Sequence, residues 1–401
     1  MTALRAVPAG TGVLTRSRAA VRLRRVAPTA LIAVMLAASL PGCSLFGSTA
    51  RVTPPLKAEA GLQTLQARWH LDLSDGQVVP LSAAVDGGRI FAAKASGELQ
   101  ALNATSGSQV WKVTVPDQLA GGVGAGEHLV AVGTRHGKVV VFDEDGHPLW
   151  DAVAGVSAIT APPVIADGVV VVRTGEGKLV AFTAANGAKR WSVERALPAL
   201  TLYRASSAVA AHGALFVGLP GGKLLALTLD QGKVGWESAV AVPRGATELE
   251  RVADVTGTPV VGERDVCAAT YQGRVACLNP TNGNPLWSRE VSSLSGLGAD
   301  SGRVYVADEK GAVSAWERGS GSPAWKNEDL NGRRLIGAVA AAGLVITGDL
   351  QGYVHWLDRS DGKITARAST DGSSLFQAPI FLGDGVLVQT RKGGLFVFPM
   401  P

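Results

Sequence analysis

The chain of 401 residues holds 50 glycines, with 46% hydrophobic and 18% charged residues, too apolar for a disordered chain and too rich in glycine for a coiled coil. Its formal charge of +5 comes from the leader: Arg5, Arg16, Arg18, Arg22, Arg24 and Arg25 precede residue 43 with no acid among them, and removing these six leaves +5 − 6 = −1. Net charge therefore gives no support to a nucleic-acid-binding face.

The first element is the uncharged run VAPTALIAVMLAASLPG behind those arginines. It is short for a membrane-spanning helix and reads as the apolar region of an export signal over residues 1–42. The Arg-rich stretch before Val21 is longer than such a leader needs, which leaves room for a start further downstream. The stretch LPGCS, Leu40 to Ser44, puts a small residue directly before Cys43 and resembles the lipobox at which bacterial lipoproteins are cleaved and acylated. That resemblance implies a lipidated Cys43, and Ser44 after it is similar to lipoproteins sorted to the outer membrane. An ordinary export signal with a cysteine nearby is the alternative. Residues 43–64 then read as a lipid-anchored linker and 65–401 as the folded domain.

Internal repeats decide the fold class. SGELQALNATSGSQVW (96–111), EGKLVAFTAANGAKRW (176–191), GGKLLALTLDQGKVGW (221–236), QGRVACLNPTNGNPLW (272–287) and KGAVSAWERGSGSPAW (310–325) share one template. HGKVVVFDEDGHPLW (136–150) fits with one deletion, QGYVHWLDRSDGKITA (351–366) has Ala366 in place of Trp, and KGGLFVFP (392–399) begins an eighth copy. The anchoring glycines Gly97, Gly137, Gly177, Gly222, Gly273, Gly311, Gly352 and Gly393 are spaced by 40, 40, 45, 51, 38, 41 and 41 residues. That period predicts an all-β fold, an eight-bladed β-propeller of four-stranded blades.

Each template position has a physical reading. The slot five residues after the anchor holds Leu102, Phe142, Phe182, Leu227, Leu278, Trp316, Leu357 and Phe398, side chains suited to packing between blades. A second glycine follows Ser, Asp, Asn or Gln, the signature of hairpin turns that need positive φ. Pro163, Pro259 and Pro379 lie fourteen residues before their anchors, which makes that strand a sheet edge, since proline cannot donate to a ladder. Runs such as AGGVGAG read as blade turns, because no helix follows to hold a phosphate.

The eighth copy has only three strands, and QARWHLDL (66–73) carries Trp69 as the outer strands do. The expectation is that this N-terminal strand completes the last blade and closes the ring, leaving no open edge.

The two long spacings are consecutive, and their extra residues fall after the Trp strand, in ERALPALTLYRASSAV (194–209) and AVPRGATELERVADVTG (241–257). Both connect an outer strand to the next inner strand, so they emerge side by side on one face. The first brings Leu200, Leu202 and Tyr203; the second brings Glu248, Glu250, Arg251 and Asp254. Exposed apolar and charged groups together predict a docking surface, the alternative being two long loops packed on each other.

The lipobox, eight Gly/Trp repeats of the pyrroloquinoline-quinone-enzyme type, the closing Trp strand and the two long connections together resemble the BamB family, propeller lipoproteins of the outer-membrane β-barrel assembly machinery. The resemblance implies a non-enzymatic scaffold, without a cofactor, on the periplasmic face of the outer membrane. Its implied partners are a BamA-type barrel subunit, other lipoproteins of the complex and unfolded outer-membrane proteins. In that family a Leu-x-Leu-Arg segment and an Asp-x-Asp segment contact periplasmic domains of BamA. Here Leu200 and Leu202 match, Tyr203 stands at the arginine with Arg204 after it, Asp254 matches the first aspartate and Thr256 replaces the second.

Two other functions remain open at the level of sequence: a quinone-dependent dehydrogenase, and a propeller lipoprotein that binds peptide or polysaccharide in its channel. The first needs calcium ligands and, in alcohol enzymes, adjacent cysteines. Here Cys267 and Cys277 are ten apart. They occupy slots held elsewhere by Phe91 or Val171 and by Ala101 or Ala181, so they read either as small core residues or as a disulfide set opposite by a three-residue turn at Tyr271 to Gly273. His70, His128, His136, His147, His212 and His355 sit apart without ligand spacing, so no metal site is expected.

Overall fold

The computed structural model describes residues 53–57, 61–74, 76, 80–198, 200–202 and 206–401. Among them every regular element is a strand, and the strands form eight separate sheets. Blades 1 to 7 run in chain order over residues 84–114, 119–153, 164–194, 208–239, 255–290, 298–327 and 336–369. Blade 8 takes three strands from 380–399, and Trp69–Asp72 pairs antiparallel with Gly394–Pro399 as its fourth. The chain therefore closes its ring as the repeat count implies.

Among the described residues there is no central core. The buried side chains form eight clusters, each at a seam between neighbouring blades. The bulky slot of every blade points into the seam with the preceding blade: Leu102, Phe142, Phe182, Leu227, Leu278, Leu357 and Phe398 are 0–4% exposed and Trp316 is 9% exposed. Each such side chain contributes roughly 1.5–3 kcal/mol of burial.

The outer-strand tryptophans bind in the other direction. Trp69, Trp111, Trp150, Trp191, Trp236, Trp287 and Trp325 each donate an indole N–H to a main-chain carbonyl of the following blade at 2.7–3.1 Å. Their rings lie on the turn glycine of that blade. At Gly107, where φ is +72°, an added Cβ would meet the Trp69 ring at 2.6 Å, so both the turn and the stacking require glycine. Ala366 breaks the series for a structural reason. Blade 8 receives its fourth strand from residues 69–72, so it has no turn between its third and fourth strands for a tryptophan to cover.

The run AGGVGAG is not a turn. Leu119–Gly126 is the innermost strand of blade 2, with a shift in register between Ala120 and Val123. A Cβ on Gly124 would fall 2.0 Å from the Pro163 carbonyl oxygen of blade 3. Its glycines serve the close approach of inner strands near the axis rather than a change of direction. Pro163 and Pro379 directly precede inner strands, and Pro259 sits where the inner strand of blade 5 loses register.

The boundary expected between residues 64 and 65 falls earlier. Gln63–Thr64 adds a fifth, parallel strand to the outer edge of blade 7, beside Ala366 and Arg367. Leu56 and Leu62 pack at the seam of blades 6 and 7, and Lys57 pairs with Asp329 at 2.6 Å. This strap is held from beneath. Arg333, 2% exposed, donates to the Pro54 carbonyl (2.6 Å), to Asp349 (2.7 Å) and to Gln351 Oε1 (2.8 Å). His355 lies 3.1 Å from the same Asp349 carboxylate, and Arg367 Nε donates to His355 Nδ1 at 3.2 Å. With Nδ1 accepting, the proton of the neutral ring sits on Nε2 and points at Asp349.

Candidate docking face

The two long connections follow the outer strands Lys189–Glu194 and Val234–Ala239. What joins them is Asp254. Its Oδ2 accepts the Leu202 N–H at 2.6 Å and its Oδ1 accepts the Gly221 N–H at 3.0 Å. Asp254 is 5% exposed, which corrects its expected role as a surface charge. A carboxylate at that depth is held by main-chain donors and fixes the path of the first connection. Thr256 is likewise buried, donating to the Ser293 carbonyl at 2.9 Å.

With its backbone pinned there, the first connection turns its leucines to different surroundings. Leu200 is 44% exposed, whereas Leu202 is half-buried. Of the two leucines read from the sequence as part of an exposed surface, only Leu200 is exposed. Tyr203, Arg204 and Cys43 lie outside the described residues.

The second connection is built on a short turn. Glu250 Oε2 accepts the N–H groups of Ala246 (2.7 Å) and Thr247 (3.1 Å), and Thr247 Oγ1 accepts the Glu250 N–H in return. Hydrogen bonds from Thr247 and Ala246 hold the Glu250 carboxyl below the usual carboxylate range. Glu248 and Arg251 pair with each other at 3.1 Å, and Arg251 Nε also donates to the Gly245 carbonyl. Both are exposed, so the pair contributes little stability and stays available to solvent. Leu249, between them in sequence, is 72% exposed.

Below the first connection, at the seam of blades 3 and 4, lies a cavity of about 110 Å³ lined by Arg173, Thr174, Leu197, Leu202, Pro220 and Asp254 among others. Burial pushes the Arg173 guanidinium below its ordinary value, and Asp254 opposes that. Neither Arg173 nor Thr174 stood out as a site residue in the sequence. A signal was present, however. Four residues before the anchoring glycine, six blades carry Ala93, Gly133, Gly218, Ala269, Ala307 or Gly348, and blade 3 carries an arginine.

The sequence model of the family described as outer membrane protein assembly factor BamB matches residues 63–121 and 95–327. The chain belongs to the BamB family. The BamB of Bordetella pertussis is 39% identical over 360 residues, covering 89% of this chain and 93% of that one. The BamB of Nitrosomonas eutropha is 40% identical over 344 residues, covering 84% of each. Among solved structures, BamB from Moraxella catarrhalis superposes with a TM-score of 0.75 at 26% identity, over 84% of this chain and all of that one. A quinohemoprotein alcohol dehydrogenase from Comamonas testosteroni reaches a TM-score of 0.66 at 14% identity, over 87% of this chain and 78% of that one, a likeness of fold alone.

The cysteines lie outside both connections. Cys267 and Cys277 are opposite each other in the hairpin of blade 5 and are joined as a disulfide, with Cα atoms 4.0 Å apart. The turn is the three residues Tyr271 to Gly273 between strands Val266–Thr270 and Arg274–Leu278. Asp265 lies close to both sulfurs but is held by Arg318 at 2.7 Å, so this group is bonded internally.

Proposed function

We propose that this chain works as a non-enzymatic assembly factor of the outer membrane, docking through the connections between blades 3, 4 and 5 onto the periplasmic domains of a BamA-type barrel subunit. Membership of the BamB family supports the general role and the association with the outer membrane. The observation that carries the docking reading is Asp254, which ties the first connection to the turn of blade 4 and leaves Leu200 outside. A preformed apolar group on a fixed backbone loses little conformational entropy on binding. Leu249 and the Glu248–Arg251 pair, exposed on the second connection, would add an apolar group and a salt-dependent contact. Lipidation at Cys43 would hold the domain to the periplasmic face of the membrane, and further lipoproteins of the complex and unfolded outer-membrane proteins complete the expected set of partners.

The experiment is co-purification of the barrel subunit from detergent-solubilised membranes with the intact lipoprotein as bait. Leu200→Glu combined with Leu249→Glu should reduce recovery at least tenfold, since burying each leucine supplies roughly 1.5–3 kcal/mol before the costs of association. The melting temperature should barely move, because both side chains are exposed. Recovery equal to the parent would place the docking surface elsewhere. In the same preparation, Cys43→Ser should lose labelling by palmitate; persistent labelling would rule out that anchor.

A further inference from the structure

The slot occupied by Arg173 is filled by a large polar residue in one other blade, and the comparison shows what is unusual. Gln389 of blade 8 uses both ends of its amide across the seam with blade 1, donating to the Leu81 carbonyl (2.7 Å) and accepting the Ala83 N–H (3.2 Å). Arg173 reaches across its seam to the carbonyls of Gly218 (3.0 Å) and Ser206 (3.4 Å), both through Nη1. A guanidinium carries five N–H groups, and those on Nε and Nη2 have no hydrogen-bond partner among the described residues.

The next residue repeats the pattern. Thr134, Thr270 and Thr390 occupy the position of Thr174 in other blades, and their hydroxyls accept main-chain N–H groups of Lys138, Arg274 and Gly394. Thr174 is 1% exposed, and its Oγ1 has no partner. Buried polar atoms are rarely left unsatisfied. Here Thr174, with its unpartnered hydroxyl, and the incompletely bonded Arg173 are both residues of one cavity wall.

We propose that this cavity receives a carboxylate, the side chain of an aspartate or glutamate of the docked partner, with Arg173 and Thr174 as its donors. The proposal rests on the docking reading above, because Leu202 of the first connection forms part of the cavity wall. The size agrees: a cavity of about 110 Å³ has room for a carboxylate group. Asp254 sets the charge of the guest. Its two oxygens are bonded to the N–H groups of Leu202 and Gly221, so it does not saturate Arg173, but its charge opposes a second negative charge in the cavity. A single carboxylate is compatible with that balance, and a phosphate dianion is not.

The test is calorimetric titration of the full chain with the purified periplasmic region of the barrel subunit. Arg173→Met should weaken binding by tenfold to a hundredfold, and Thr174→Val by threefold to tenfold. One acidic residue of the partner, changed to its amide, should lose affinity in the parent and lose none further in Arg173→Met, the coupling that marks a direct pair. Thr174→Val keeps the test decisive if Arg173→Met does not fold, because it preserves shape and leaves the seam contacts of Arg173 in place. Unchanged affinity in both variants, with binding still lost in Leu200→Glu/Leu249→Glu, would mean that the cavity holds only water and would overturn this proposal while the docking reading stands. If the leucine variant also binds like the parent, both fail.

Discussion

Arg333 and Arg173 are both buried guanidinium groups close to the seams of the ring, and they are finished in opposite ways. Arg333 is bonded to a carboxylate, an amide oxygen and the carbonyl of the strap, and its Asp349 is bonded in turn to His355. Arg173 meets carbonyl groups through one nitrogen, beside an unpartnered hydroxyl and a cavity. The first lies at the seam of blades 6 and 7, where residues 53–64 are fastened just before the closing blade 8. The second lies across the ring, under the proposed docking face. A buried polar network that is complete stabilises one arrangement of the chain, whereas an incomplete one leaves donors for a ligand. The difference therefore separates a seam that fastens the N-terminal strap from one whose polar groups are incompletely paired.

The largest break in this comparison is removal of the closing segment. Deleting residues 53–74 takes away the fourth strand of blade 8, the parallel strand on blade 7 and the Trp69 contact with Gly107. Circular dichroism and thermal melting should show loss of the cooperative transition at 37 °C, the edges of blades 7 and 8 being exposed together. A truncated protein with the melting temperature of the parent would show that closure does not depend on this segment.

A smaller effect is expected from Arg333→Met. It leaves the Asp349 carboxylate buried with one strong donor fewer, a change worth about 3–5 kcal/mol when a buried pair is broken. Limited proteolysis should then cut within residues 53–64 well before the blades. The matching Arg173→Met should cost less stability, because it breaks two hydrogen bonds to neutral carbonyls rather than a bonded ion pair. Equal losses in denaturant titrations would erase the distinction between the two seams.

The smallest effect is a pH dependence carried by His355. Burial holds its pKa below the ordinary 6.5, the hydrogen bond that His355 donates to Asp349 acts the other way, and the charges of Arg367 and Arg333 add to the depression. The unfolded chain therefore takes up the proton first. The contribution of His355 to stability is complete above about pH 6.5 and declines as pH falls below it, by at most about 1.4 kcal/mol per pH unit, until the folded-state value is reached. Asp349 is also depressed: burial alone would raise it, but bonds from His355, Tyr353 and Arg333 outweigh that, so its contribution is lost only below its ordinary 3.8. His128 and His147 are raised by Glu144 and Asp143 and oppose the trend from exposed positions. The measurement is thus the difference between the parent and His355→Gln in melting temperature from pH 7.5 to 5.5. A parent that loses no more stability than the variant would remove His355 from the account.

The fold was legible because each blade repeats the same physical problem. Gly107 and its counterparts mark turns, the slot of Phe182 marks the packed seam, and the spacing of the anchors counts the blades. Even the absence of tryptophan at Ala366 follows from closure, although only the paired strands show why. The candidate site was legible as two long connections and much less so residue by residue. Asp254 reads in sequence as a surface acid in a charged segment, and its burial depends on the Leu202 and Gly221 N–H groups, which lie 52 and 33 residues away. AGGVGAG reads as a turn because local chemistry does not report that Pro163 of the next blade approaches within contact of Gly124.

By itself, then, the sequence determined the architecture: a period near forty residues, turn glycines, inner-strand prolines and an outer strand displaced to the N-terminal side admit a closed propeller and little else. Tertiary structure alone decided which polar groups are satisfied. Whether Thr174 finds a donor, whether Asp254 is buried and whether Cys267 meets Cys277 depend on distances of a few ångströms between segments that the chain brings together only on folding. Strand propensity and apolar patterning act within a blade, where the repeat makes them visible. Hydrogen-bond satisfaction at a seam acts between blades, where each side chain is judged against a backbone that its own repeat does not contain.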